Sequence, residues 1–176
     1  LIATLFTAVV LGVVDEAIAT AREQVRRFYE YEMDMYLRGR RAYTTHEVPL
    51  LDVGTESHIY YHKGAMAMYL LQQRLGEDSV NRALRNLLTR YRFKAAPYPR
   101  TLELIAALRA EAKSEEDEAL ITDLFERITL YDLKLTKAVT RPAKGGWTTT
   151  LTLAADKFYA TGKGAETKAP LAELVE

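Results

Sequence analysis

The chain contains no cysteine, which excludes disulfide bonds and thiolate metal ligands. It also has no excess of charge of either sign, because Lys plus Arg and Asp plus Glu both total 24 and the formal net charge is zero. Nucleic-acid binding draws most of its affinity from the neutralisation of phosphates. The charge balance therefore argues against a nucleic-acid partner.

The sequence lacks an uncharged run long enough to cross a membrane. The run LIATLFTAVVLGVV at residues 1–14 is too short, since a spanning helix needs about 20 apolar residues. No basic stretch precedes it, so it does not have the form of a signal peptide. We expect these residues to form a buried helix. Because the chain starts without a methionine and stops within APLAELVE, we expect it to be a piece of a longer protein.

The composition is that of a folded protein, with 48% hydrophobic and 27% charged residues among 176. This length suits one domain, or one domain with a small appendage. Eleven tyrosines accompany five phenylalanines, a ratio that indicates polar-tipped aromatic packing or a site.

The spacing of apolar residues predicts a series of helices. The clearest lies in EDSVNRALRNLLTRYRF, where Val80, Ala83, Leu84, Leu87, Leu88 and Tyr91 form one stripe. Prolines in KAAPYPR end it. The other predicted helices are residues 1–14; Asp15 to about Arg38, burying Val25, Phe28, Tyr29 and Tyr36; His58–Leu75, ended by Gly76; one capped by Thr101, carrying Leu104, Ile105 and Leu108; and Ala119–Ile128, burying Leu120, Leu124 and Phe125. Residues 39–56 are predicted to be an irregular connection.

After residue 129 the apolar period changes from 3.6 to 2. Leu133, Leu135 and Val139 alternate with polar residues, and a second alternating series starts at Trp147. The segments RPAKGG and TGKG supply turns. The pattern predicts an antiparallel β-meander of about three strands.

Two histidines four residues apart, His58 and His62, have the spacing of a zinc-binding helix. A zinc helix of the His-Glu-x-x-His type needs a glutamate after the first histidine, and Ile59 stands there instead. The only other histidine is His46, in the predicted loop. The pair is therefore interpreted as surface or helix-start residues, not as a metal site.

Two tyrosines lie between these histidines, in the first turn of the predicted helix. A phenol at this position could donate a hydrogen bond to a developing oxyanion. The alternative is an aromatic residue packed between helices. Gly64 favours a special environment, because glycine inside a helix costs about 1 kcal/mol relative to alanine and so indicates close approach of another backbone.

A long ordered series of motifs resembles the gluzincin zinc aminopeptidases, the alanyl aminopeptidase and leukotriene hydrolase group. The series is Tyr-x-Lys-Gly opening an apolar helix, then Leu-Gly-Glu-Asp, then an amphipathic helix ending in Tyr-x-Phe, all within IYYHKGAMAMYLLQQRLGEDSVNRALRNLLTRYRF. The segments YLRGRRAYTTHEVPLLDV, APYPRTLELIAALR and ITDLFERITLYDLKLTKA are similar to a bacterial branch whose peptidase module often follows a membrane permease. The last strands resemble the start of that branch's β-domain.

The resemblance implies a role for three residues. Tyr61 matches the tyrosine that hydrogen-bonds the tetrahedral intermediate and is predicted to be catalytic, while Tyr60 and Lys63 are predicted to position the substrate. The family's zinc ligands and general base lie upstream of this segment. Ala3 falls where the third ligand, a glutamate, belongs, and the first carboxylate is Asp15. No metal ligand is therefore predicted in this chain.

The expected fold is mainly α, with residues 1–128 forming the helical end of a catalytic domain and residues 129–176 opening a β-domain. The expected function is that of a piece of a zinc-dependent aminopeptidase, inactive alone, with zinc and a peptide substrate bound by the full-length parent. The alternative is a non-catalytic helical scaffold or partner-binding module. The resemblance also implies an inner-membrane-associated parent, and an open β edge predicts self-association.

Overall fold

The computed structural model describes residues 2–42 and 47–171, with the side chains of the first helix from Thr20 onward. His46 and the side chains of Ala3 and Asp15 lie outside this part. The described helices are α1 (Ile2–Ala42), α2 (Gly64–Leu75), α3 (Glu77–Tyr91), α4 (Thr101–Arg109) and α5 (Glu115–Phe125), with a π-helix at His58–Lys63 and a 3₁₀ turn at Leu50–Asp52. The strands are β1 (Ile128–Ala143), β2 (Gly146–Ala160) and β3 (Glu166–Ala169). The predicted order, helices followed by an antiparallel meander, is confirmed.

The chain divides into two compact units. The first contains α1 and Thr55–Leu70, and the second contains residues 47–54 and the described chain from Leu71 onward. The predicted division at residue 128 falls inside the second unit and stays a prediction. No helix among the described residues combines the length and apolarity needed to cross a bilayer.

The first helix is longer than predicted. Residues 1–14 and Asp15–Arg38 were predicted to be separate helices, but α1 runs without a break from Ile2 to Ala42. The change from apolar to charged residues near Asp15 does not interrupt the helical backbone. Val25 and Phe28, predicted to be buried, are 44% and 49% exposed. Tyr36 is buried as predicted.

The second unit has its core among α3, α4 and α5. Leu108 of α4 and Ile121 of α5 are fully buried, and so is Leu71 in the part of α2 that belongs to this unit. Arg109 joins α4 to α5, because its guanidinium donates to the carboxylates of Glu118 (2.6 Å) and Glu126 (2.7 Å). These two carboxylates raise the pKa of Arg109.

Two helix starts differ from the prediction. The cap of α4 is Arg100, one residue before the predicted Thr101, and its backbone N–H donates to the Glu103 carboxylate at 2.7 Å. The last helix begins at Glu115 instead of Ala119, because the Ser114 hydroxyl accepts a hydrogen bond from the Asp117 backbone N–H.

The sheet has the order β1-β2-β3, so β1 and β3 are its edges. Strands β1 and β2 pair from Ile128 opposite Ala160 to Ala143 opposite Gly146, around a tight turn in which Gly145 has a φ of +86°. A β-bulge between Leu135 and Lys137 shifts the register. Because of this bulge, Val139 faces away from the exposed leucines of β1 and β2, although its spacing from Leu135 predicts the same face. These leucines are Leu133, Leu135, Leu151 and Leu153.

A buried ion pair links α5 to β2. The Lys157 ammonium contacts the Asp123 carboxylate, and both side chains are at most 5% exposed. Arg127 adds a second contact to Asp123 at 3.2 Å. Because an ionised group loses most of its hydration when buried, such a pair is sensitive to the removal of one member.

We expect Lys157→Met to lower the free energy of unfolding by about 3 kcal/mol, because it leaves the Asp123 carboxylate buried with only Arg127 beside it. The double variant Asp123→Leu/Lys157→Met should recover most of that loss. Urea denaturation measures both. As a control, Lys134→Met, which breaks an exposed pair with Asp132, should leave the midpoint unchanged. Equal stability of the single Lys157 variant and the wild type would show that the pair is dispensable.

Candidate functional site

The predicted site residues all lie in the π-helix His58–Lys63, which leads directly into α2. The Gly64 backbone N–H donates to the Ile59 carbonyl, five residues back, which is the hydrogen bond that defines a π-helix. Single π turns are rare and occur frequently at functional sites. The structure thus brings Tyr60, Tyr61 and Lys63 together in one irregular turn of helix.

The two histidines of this turn both contact α1. His62 Nδ1 lies 2.7 Å from the Glu32 carboxylate, and the His58 ring stacks against Tyr36 with centroids 6.4 Å apart. Glu32 and Tyr36 are also four residues apart. The earlier histidine contacts the later residue of α1, and the later histidine contacts the earlier one. The zinc-like spacing of the histidines is therefore the spacing of an antiparallel helix packed on α1.

The described residues do not fit a zinc ion. No group of three or more His, Cys, Asp or Glu side chains among them is arranged to hold a metal. His58 is buried against Tyr36, and His62 is paired with Glu32. A zinc site in the protein would need ligands from other residues.

Tyr61 is the most exposed residue of the π-helix. It is 65% exposed and Tyr60 is 40% exposed, whereas Ile59 beside them is fully buried. The two tyrosine rings contact each other, with centroids 4.5 Å apart. The histidine contacts with α1 lie on either side of Tyr61 in the chain. The phenol therefore faces solvent from a backbone that is anchored at both sides.

Lys63 contacts α1 through an aromatic ring. Its ammonium lies 5.8 Å from the centre of the Tyr36 ring, a cation–π distance, and the residue is half-buried. Tyr36 is thus shared between His58 and Lys63. The substrate roles of Tyr60 and Lys63 stay predictions.

Glu32 is part of this site and was missed by the sequence reasoning. It is buried, at 8% exposure. The sequence contains a pattern that could have indicated it. Glu32 lies four residues from both Phe28 and Tyr36, on the face of α1 that was predicted to be apolar. An acid in such a stripe indicates a buried partner.

Tyr29 extends the aromatic contacts towards α2. Its ring packs on Tyr69 with centroids 4.0 Å apart. Burial raises the pKa of Tyr29 above its ordinary value, and the nearby Tyr69 and Glu32 add to this shift. Tyr29 also borders an open apolar groove of about 1080 Å³, whose lining includes Val25, Met33, Leu37, Met66 and Tyr69.

Compared with protein-family models, curated proteins and solved structures, the chain matches none of them. The resemblance to the gluzincin aminopeptidases therefore depends on the sequence motifs alone.

We expect Gly39→Ala to lower the free energy of unfolding by about 1–3 kcal/mol, because overpacking forces neighbouring groups to move. A Cβ on Gly39 would lie 2.2 Å from His58 Cβ, so α1 and the π-helix would have to separate. Thermal or urea unfolding measures the loss. Gly146→Ala is the matched control, since its Cβ would meet nothing within 4 Å. An unchanged midpoint for Gly39→Ala would contradict the close approach.

We expect Glu32→Ala to cost about 1–3 kcal/mol, because it leaves the His62 ring partly buried without its acceptor. Asp34→Ala on the same helix removes a carboxylate whose pairing with Arg38 is exposed, and it should have little effect. The histidine signals in NMR spectra provide a second measurement. They should shift for His62 in Glu32→Ala and stay in place in Asp34→Ala. Equal stability losses in the two variants would contradict a buried role for Glu32.

Proposed function

We propose that this chain is part of a zinc-aminopeptidase-like protein, in which Tyr61 donates a hydrogen bond to the carbonyl oxygen of the scissile peptide bond. The single observation that carries the proposal is the 65% exposure of Tyr61 on an irregular turn whose neighbours are anchored. The motif series from Tyr-x-Lys-Gly onward supports the choice of family.

In the proposed reaction this chain would position the peptide and stabilise the negative charge that develops on the carbonyl oxygen. A phenol donates its O–H in the neutral form. As water adds to a peptide carbonyl, negative charge develops on the oxygen, and a pre-positioned donor stabilises it more than the starting carbonyl. Anchoring by the histidines serves this role, because the donor must not reorganise during the reaction. Tyr60 and Lys63 would orient the peptide beside it.

Zinc and the general base would come from residues other than those described. Zinc is the cofactor that the resemblance implies for the full-length parent, and peptides are the substrate class. The parent would hydrolyse N-terminal residues from them. This chain would contribute the side of the active site opposite the metal.

The second candidate is a non-catalytic helical scaffold or partner-binding module. The observation that favours it is the apolar groove along α1, with Val25, Met33 and Leu37 between 44% and 51% exposed. An uncovered surface of this kind is typical of a contact with another protein or another part of the same protein. The proposed self-association through the edge of the sheet would belong to this candidate.

We expect Tyr61→Phe in the full-length parent to lower kcat about 100- to 1,000-fold, with little change in KM, because one oxyanion donor is lost. Hydrolysis of a fluorogenic amino-acid amide measures this. Metal content should stay equal to that of the wild type. Tyr98→Phe, which removes a hydroxyl from another exposed tyrosine in the second unit, should retain full activity.

The two candidates are separated by the gene and by the metal. A His-Glu-x-x-His motif upstream of Leu1 in the full-length gene, together with bound zinc in the purified protein, supports the peptidase. Absence of both would leave the scaffold. Near wild-type turnover in Tyr61→Phe would remove Tyr61 from the mechanism even if zinc is present.

A further inference from the structure

The connection between α3 and α4 exposes aromatic and basic side chains together. Residues 92–100 are all exposed, and Phe93 is 101% exposed, with no part of its side chain covered. Leu88 before it and Tyr98 after it are 64% and 73% exposed. Arg82 near the start of α3 bonds Glu111 just beyond α4, so the two helices run antiparallel. Leu88, Phe93, Tyr98 and Leu102 therefore lie at one end of this helix pair, which we call the α3–α4 tip.

The backbone at Phe93 is strained. Arg92 has φ −55° and ψ 135°, Phe93 has φ 60°, and the Lys94 N–H donates to the Tyr91 carbonyl. These values describe a type II turn, whose third residue is normally glycine because a side chain is disfavoured at positive φ. A bulky residue in this conformation is an outlier. The turn thus holds a large apolar side chain in water at a position where glycine would be more stable.

The tip is also strongly basic. Residues 85–102 contain five basic residues and no acidic one, and the sequence Arg-Tyr-Arg-Phe-Lys at 90–94 alternates cations with aromatic rings. Arg100 pairs with Glu103, and Arg90 lies over the Tyr91 ring. Within the residues that the structure describes, Arg92 and Lys94 have no ion pair. The zero net charge of the whole chain does not reveal this local excess of positive charge.

We propose that the α3–α4 tip binds the surface of a lipid bilayer rich in anionic phospholipid. Lys and Arg are attracted to the anionic headgroups, and exposed aromatic rings insert at the boundary between headgroups and acyl chains. Single-stranded nucleic acid also attracts cations and rings, but it offers no place for the aliphatic side chains of Leu88 and Leu102. The exposed leucines therefore favour lipid.

The test is co-sedimentation of the full chain with vesicles of phosphatidylcholine alone or mixed with phosphatidylglycerol. We expect binding only to the mixed vesicles, weakened by salt. Replacing Arg90, Arg92 and Lys94 by glutamine should weaken binding about 100-fold, at about fivefold for each cation. A control variant replaces Arg141 and Lys144, two exposed cations near the β1–β2 turn, by glutamine and should bind as the wild type does.

Phe93→Gly separates binding from folding. It removes the ring and the positive-φ strain together, so vesicle binding should fall about tenfold or more while the unfolding midpoint stays equal or rises. Trp147→Ser removes an exposed aromatic side chain from the sheet, and it should leave vesicle binding and the unfolding midpoint unchanged. The double variant Phe93→Trp/Trp147→Phe provides a reporter, because its single tryptophan should shift to the blue on mixed vesicles while Trp147 in the wild type does not.

The proposal is overturned by any of four results. These are no binding to mixed vesicles, equal binding to neutral vesicles, loss of binding in the Trp147 or Arg141/Lys144 controls instead of the tip variants, or tighter binding to a single-stranded oligonucleotide than to vesicles. The peptidase assay is independent of these measurements, since the tip variants leave Tyr61 unchanged.

Discussion

The antiparallel packing of the π-helix on α1, through the Glu32–His62 and Tyr36–His58 contacts, is the constraint on which the first unit depends. Burying the Glu32 carboxylate without a partner would cost several kcal/mol, and His62 at 2.7 Å supplies that partner. Tyr36 packs on His58 one turn away, which fixes the direction of the π-helix. Both contacts require α1 to lie close, and Gly39 makes room for His58. The position of Tyr61 is a consequence of these three contacts.

The second unit is held by the same kind of interaction at different places. Arg109 ties α4 to α5, and the buried Lys157 and Asp123 tie α5 to the sheet. In each unit a charged side chain contacts a residue of another element, but the pairs differ in burial, because Arg109, Glu118 and Glu126 are 32–43% exposed whereas Lys157 and Asp123 are at most 5% exposed. A buried pair costs more to break than an exposed one, because removal of one partner leaves a desolvated charge behind. The buried Lys157–Asp123 contact is therefore the more sensitive of the two, and the burial of Leu108 and Ile121 adds apolar stabilisation to the same unit.

Local features were predictable from the sequence, and features that depend on distant partners were not. The α3 stripe and the turn at Gly145 follow from periodicity and turn chemistry within a few residues. The pairing of Glu32 with His62 joins residues 30 apart in the sequence, and no spacing rule connects them. The bulge at Leu135 is likewise a property of two strands. For the candidate site, the sequence singled out the segment but not the contacts of its histidines with α1.

An exposed aromatic side chain is informative only when a second observation accompanies it, because isolated apolar residues on a surface are normal. Tyr61 and Phe93 both satisfy this condition, but in opposite ways. Tyr61 is exposed on a π turn that is anchored to α1, so its hydroxyl is presented at a fixed position, as a hydrogen-bond donor requires. Phe93 is exposed on a backbone that its own side chain strains. Fixed geometry suits directional chemistry, whereas an unsupported ring suits a partner without a defined shape, such as a bilayer surface.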